Sequence, residues 1–282
     1  MKLMPEKEWK NKIIRLEKQA NKEKKAAKAE LKKALVNAVI KNIPKKRFGI
    51  LFSGGVDSTL IAYLCKKQKA NFICYSVGLE NSPDLVWARE IAKKYNLKLK
   101  TKTFKFKDME KLFKKTKKAL LKADTLSMGV GAVLLSAIEL GKKDRISDFF
   151  TGLGSEEIFA GYHYHEEAKD ANKECWKRLK SMWARDFKRD FAVAKKMKIN
   201  LLVPFLDEEL IKTAMKIPSK KKIDKKNKKI ILRQVAQDLG LQKTFAWRSK
   251  KAAQYGSWFD KCLSRLARQK GYIFKQDYIN SL

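Results

Sequence analysis

"RFGILFSGGVDSTLIAYL" (Arg47–Leu64) sets two glycines, two serines and an aspartate between an apolar run and an amphipathic one. Phe48, Gly49, Ile50, Leu51 and Phe52 are continuously apolar, as in a strand buried on both faces of a parallel sheet. After the turn Leu60, Ile61, Tyr63 and Leu64 recur at helical spacing, so the order is strand, glycine turn, helix. Gly54 and Gly55 permit positive φ and a close backbone approach, and the unpaired N–H groups of the first helical turn favour an anion. Ser53, Ser58 and Thr59 add hydroxyls for phosphate oxygens, whereas Asp57 would repel a bare phosphate unless a divalent cation lay between them. The loop therefore reads as a site for phosphate plus magnesium. The plainer alternative is a tight turn whose serines and aspartate only cap the helix. A Walker loop is excluded, because its glycine and Gly-Lys-Ser/Thr spacing is absent and no lysine is placed to reach the phosphates.

Outward from the loop, apolar strands alternate with helical patterns from Phe48 to Gly152, which predicts βαβ units and an open parallel sheet with flanking helices. Asn71–Leu79 is the second strand, and Ser82 and Pro83 start a helix after it. Leu97–Phe106 is the third strand, Thr125–Leu140 a nearly apolar helix and Ile146–Gly152 the fourth strand. "FFTGLGSEEIFAGY" (Phe149–Tyr162) repeats the opening arrangement: apolar strand, Gly152 and Gly154, Ser155, two acids, helix. Open sheets bind ligands beyond the carboxyl ends of their strands, so the two loops could grip one metal-polyphosphate from two sides.

Before Pro44 the chain reads as one or two basic helices, with the lysine- and alanine-rich Asn21–Lys33 a good helix former between two apolar stripes. Beyond Tyr162 it looks helical, with Asp207 as an N-cap and Ser219–Lys229 a dense basic loop. The expected division is a helical segment 1–44 and an α/β domain 45–282, made of a nucleotide core near 47–162 and a helical part near 163–282. His163 and His165 share no helix face and are not expected to bind metal.

Sixty-six Lys+Arg against 30 Asp+Glu give a net charge of +36, which attracts polyanions. Nucleic acid is one reading and a lysine-rich proteome the other. The four cysteines form no C-x-x-C pair, no run of membrane-spanning length stands out and the N-terminus carries charges, so a reduced, untargeted cytoplasmic protein is expected.

"SGGVDS" (Ser53–Ser58) resembles the pyrophosphate loop of the adenine-nucleotide α-hydrolase group. "GLENSPDLVWAREIAKKYNLKL", "TGLGSEEIFAGY", "VPFLDEEL", "KKIILRQVAQDLGL" and "WRSKKAAQYGSWFD", in order over about residues 48–260, are similar to the synthetase domain of asparagine synthetases, in its divergent subgroup. The resemblance implies ATP cleavage between the α and β phosphates: a carboxylate becomes an adenylate and an amine displaces AMP. By position it implies that Ser53, Gly54, Gly55 and Ser58 hold pyrophosphate and that Val77, Gly78 and Gly152 line the adenosine site by their backbone. It likewise places magnesium on Asp57 and Glu156, and the basic residues facing the polyphosphate at Lys229 and Lys250.

Three departures carry expectations of their own. A basic helical segment stands where the family has its glutaminase domain, so glutamine is not expected to be the direct nitrogen donor of this chain alone. Free ammonia, a small amine or a separate nitrogen-donating subunit would serve instead. Leu153 occupies the place of a substrate glutamate and can neither accept a proton nor pair with an ammonium, and Glu156 stands for a shorter aspartate. The expected activity is thus an AMP-forming ligase acting on a small carboxylate or a tRNA/RNA acceptor, with asparagine itself a doubtful product. The alternative is an ATP- or RNA-binding regulatory protein on the same fold.

Overall fold

The computed structural model describes residues 3–249 and 251–282. Two helices, α1 (Glu6–Lys22) and α2 (Lys28–Ile40), precede β1 (Phe48–Leu51), α3 (Val56–Lys67), β2 (Phe72–Leu79), α4 (Pro83–Lys94), β3 (Leu99–Phe104), α5 (Met109–Lys117) and α6 (Thr125–Lys142). Then follow β4 (Asp148–Phe150), α7 (Ser155–Ile158), α8 (Tyr164–Glu167), α9 (Ala171–Met182), α10 (Lys188–Met197), β5 (Asn200–Leu202), α11 (Glu208–Lys216) and α12 (Ile230–Asp238). The chain closes with α13 (Lys243–Ala246), α14 (Ala253–Gly256), α15 (Phe259–Gln269) and α16 (Lys275–Ser281).

The strands form one sheet in the order β3-β2-β1-β4-β5, and each pair is parallel. β1 is central, with Phe48 and Ile50 fully buried, as its unbroken apolar run predicts. Gly49 is required there, because a Cβ would lie 2.6 Å from the Phe149 ring of the neighbouring strand. The chain winds from β1 outward to β3 and then returns to the other side of β1 as β4 and β5. The direction of winding therefore reverses between β1 and β4, and the crevice at such a switch point is where open α/β sheets take their ligands. The two glycine-and-acid loops leave β1 and β4 at that edge.

The structure differs from the sequence expectations in four places. A fifth strand, β5, pairs at the edge with β4; three residues are too few to show an alternating pattern. The third and fourth strands are shorter than predicted, since Phe106–Asp108 forms a 3-10 turn and β4 keeps only Asp148–Phe150. The Asn21–Lys33 stretch is broken between Lys22 and Lys28 despite its helix propensity. There Ala26 N–H donates to the Lys216 carbonyl (3.4 Å) and Glu23 pairs with Lys216 (2.7 Å), so tertiary contacts override local preference. Lys222, expected on the surface of the basic loop, is fully buried.

Helix α6 has 18 residues and is apolar enough to cross a membrane by length and composition, yet Met128, Ala132 and Ile138 are buried inside the fold. The helices α1 and α2 pack on α11, and Trp9 Nε1 donates to the Leu179 carbonyl of α9 at 2.7 Å.

Candidate active site

The first loop keeps its backbone close to its neighbours. Gly54 has φ +65, and a Cβ on it would meet the Ala88 nitrogen and Trp87 carbonyl carbon of α4 at 3.1 Å. Gly55 is the N-cap of α3 and has no side chain with which to cap it. Ser58 Oγ donates to the Gly55 carbonyl at 3.2 Å, and the N–H groups of Ser53 and Gly55 reach serine oxygens only at 3.4 Å. Bonds this long are weak, so the loop's donors can be turned to a ligand at small cost. Asp57, buried in the first turn of α3, faces across to the second loop.

That second loop turns at Gly154 (φ +96), where a Cβ would fall 2.4 Å from Leu206 Cδ2. Gly152 lies against Asp57, whose Cβ would be 3.0 Å from a methyl placed there. Ser155 Oγ then donates to Asp57 Oδ1, joining the two loops across the switch point.

The site is completed from the far end of the chain by Lys229. Its residue sits at the N-cap of α12 with φ 56 and ψ 31, and it is only 4% exposed. The ammonium lies 3.0 and 2.8 Å from Asp57 Oδ1 and Oδ2, 2.8 Å from Glu156 Oε1 and 3.2 Å from Ser155 Oγ. Burial opposes this charge, but Asp57 and Glu156 outweigh it and raise the lysine above its ordinary value. Gly161 leaves the room: a Cβ there would be 1.6 Å from Glu156 Oε2 and 2.6 Å from Lys229 Cε.

Two arginines that sequence reasoning missed hold this frame. Arg248 is buried, donates from Nη1 to the Ser53 carbonyl (2.9 Å) and from Nη2 to Asp84 (3.0 Å), and lies 5.2 Å from the Trp87 ring centroid. Arg233 donates to the carbonyls of Lys228, Ala246 and Arg248, fixing the segment that carries Lys229 to the one that carries Arg248. Arg248 is two residues from the predicted Lys250 in "WRSK", and Arg233 one helical turn after Lys229. Lys250 itself lies outside the described residues. The pairing of β1 with β2 ends at Tyr75, where Phe52 N–H donates to the Tyr75 carbonyl, so Val77 and Gly78 extend past the end of β1 and pair with β3. Both are buried, at the carboxyl end of their strand.

Glu157 faces away from this cluster. Its carboxylate accepts from Arg185 (2.6 Å) and from the Tyr162 hydroxyl (2.9 Å), and burial pushes it up to about 7. His165 is buried too, accepting at Nδ1 from the Tyr162 N–H (3.1 Å), and burial pushes it down to about 4. Leu153 lies half-buried against the core and offers no polar group.

Asp57, Glu156 and Ser155 present only oxygen, which suits a hard divalent cation such as magnesium. Among the described residues no group of three or more His, Cys, Asp or Glu side chains could hold a metal.

Fold and switch-point loops together define an open α/β protein of the nucleotide-binding type. The asparagine synthase family matches residues 30–198 and 166–271, and the chain belongs to it. A Methanocaldococcus jannaschii protein assigned as a glutamine-hydrolyzing asparagine synthetase is 33% identical over 89% of this chain and 53% of its own length. The glutamine-hydrolyzing asparagine synthetase of Gallus gallus is 31% identical over 82% of this chain and 45% of its own. The chain thus spans about half the length of the curated relatives it matches. Among solved structures, the NMN synthetase of Francisella tularensis aligns over 90% of this chain and 91% of that one, with 14% identity and a TM-score of 0.47.

Proposed function

We propose that this chain is the synthetase part of an ATP-dependent, AMP-forming carbon–nitrogen ligase. The observation that carries the reading is the clustering of Asp57, Ser155 and Glu156, from two loops at the switch point, around the buried Lys229 ammonium. Ser53, Gly54, Gly55 and Ser58 would bind the β and γ phosphates at the start of α3, and Val77, Gly78 and Gly152 would border the adenosine. Asp57 and Glu156 would hold magnesium, which supplies charge neutralisation to the departing pyrophosphate. A carboxylate oxygen of the substrate attacks the α phosphorus, the α–β anhydride breaks and pyrophosphate leaves. An amine then attacks the acyl carbon, AMP leaves and a proton is released. Lys229 and Lys250 would stabilise negative charge as it moves onto the leaving phosphates.

Leu153 speaks for an acceptor other than aspartate, because it offers the incoming amine no base and no counter-charge. The nitrogen would come from ammonia, a small amine or a separate donating subunit. The charge of +36 supports a tRNA or other RNA acceptor as the larger alternative to a small carboxylate. It supports equally a second reading, an RNA- and ATP-binding regulatory protein that has lost the reaction along with the glutamate. Four free, buried cysteines fit a reducing cytoplasm. The test is product analysis by phosphorus NMR after incubation with ATP, magnesium, ammonium and a panel of carboxylic acids or total RNA. AMP and pyrophosphate in equal amounts support the ligase; ADP and phosphate contradict it. Robust ammonia-dependent asparagine formation would show that Leu153 does not bar aspartate.

A further inference from the structure

We infer that Lys229 is a built-in place-holder for the divalent cation, so that the nucleotide-free protein excludes free metal and admits it only together with the polyphosphate. The inference rests on the phosphate-and-metal reading of the two loops. The ammonium already fills the position a metal would use: oxygens of Asp57, Glu156 and Ser155 surround it at 2.8 to 3.2 Å. An ammonium has three N–H donors, and these four oxygens engage all of them.

Its position is also held firmly. Lys229 adopts a left-handed backbone at the N-cap of α12, Arg233 N–H donates to its carbonyl at 3.0 Å, and the Arg233 guanidinium donates to the carbonyl before it. The absent Cβ of Gly161 gives the stem its path to the carboxylates. Strained non-glycine backbone of this kind persists where its surroundings enforce it.

Charge then orders the binding. The Lys229 ammonium faces both carboxylates and the Arg233 guanidinium also acts on them, and a dication placed beside the ammonium would meet a like charge within about one ion-pair distance. An arriving polyphosphate changes this, because it offers Lys229 another anionic partner. The ammonium can turn to the phosphates while the metal takes the carboxylates. With no protein cage of three acids or histidines among the described residues, the carboxylate pair alone is a weak competitor for a hydrated dication.

The test uses the full chain without nucleotide and Mn2+ as the probe, with free ion counted by electron paramagnetic resonance. Lys229→Met should bind one Mn2+ at least about tenfold more tightly than the wild type, and Asp57→Asn in the same chain should abolish that gain. Thermal melts should agree, with Mn2+ raising the transition of Lys229→Met and leaving the wild type unmoved. Lys229→Gln, which keeps a polar tip, gives the same reading should the methionine variant misfold. Nucleotide-free wild type that binds Mn2+ as tightly as the variants, and loses it on Asp57→Asn, would overturn the inference. So would variants that fold and gain no Mn2+. Failure of the underlying reading shows separately, as a wild-type melt that does not respond to ATP with magnesium.

Discussion

Replacing Gly161 by alanine should separate the architecture of the site from the stability of the fold. Gly161 is not among the positive-φ residues, so alanine meets no left-handed backbone penalty there. Its methyl, however, would fall 1.6 Å from Glu156 Oε2 and 2.6 Å from Lys229 Cε. Both are side-chain atoms that can move. The Glu156 side chain is 34% exposed and can swing into water, whereas Lys229 is enclosed and would be displaced against Asp57. Loss of a partly exposed pairing should cost the fold about 1 kcal/mol, read as a small shift in the urea midpoint. The ligand loses more, since contacts to charged groups contribute about 1.5–3 kcal/mol each, equivalent to roughly 10- to 100-fold weaker binding of ATP with magnesium. Calorimetric titration measures it, and Glu156→Gln should weaken binding in the same direction, the double variant being less than additive. A folded Gly161→Ala protein that binds ATP within about twofold of wild type would refute the placement of Glu156 and Lys229 in the nucleotide site.

Other perturbations reach the buried charges and the surface. Lys222 is fully buried with its ammonium 3.6 Å from Met215 Sδ, and burial lowers it to about 8, so Lys222→Met should stabilise the protein at pH 7 by about 1–3 kcal/mol in chemical denaturation. Burial lowers His165 to about 4, so between there and its ordinary value the unfolded chain binds the extra proton. The stability present above about pH 6.5 is therefore lost as pH falls through that window, by at most about 3 kcal/mol, and His165→Asn should flatten the loss because the amide oxygen still accepts from Tyr162 N–H. If RNA is the acceptor, glutamine at the exposed Lys220, Lys221, Lys225 and Lys226 should reduce the magnitude of the log–log salt slope for single-stranded RNA by up to about 3. Lys114, Lys115 and Lys118 should matter less, two of them being paired with Glu110 and Glu139, and equal effects would point to diffuse attraction.

The glycine turn between an apolar run and an amphipathic helix was legible because φ freedom, strand burial and helix-start chemistry converge on one short stretch. Its echo at Phe149–Tyr162 was legible for the same reason, and β1 and β4 do lie side by side. The edge strand β5 escaped because three residues carry no periodicity, and the break after Lys22 because it depends on Lys216, almost two hundred positions away. Arg233 and Arg248 were hidden among 66 basic residues; nothing local marks an arginine that will donate to a distant carbonyl. Composition misled most plainly at Lys222, which read as one more lysine of the dense basic loop although it is enclosed beside Met215; Lys229, which the family resemblance alone singled out from that loop, reaches the acids of both site loops.

The most direct measurement of the central claim is carboxylate-dependent exchange of labelled pyrophosphate into ATP. Formation and reversal of an acyl-adenylate require neither the amine nor a nitrogen-donating partner, so the chain can be tested by itself. The expected result is exchange that appears with one class of carboxylate or with RNA, requires magnesium and falls by at least about a hundredfold in Asp57→Asn, as for loss of a buried, charge-stabilising contact. Absence of exchange across the whole panel in a protein that binds ATP with magnesium would contradict the ligase and leave the regulatory reading in its place.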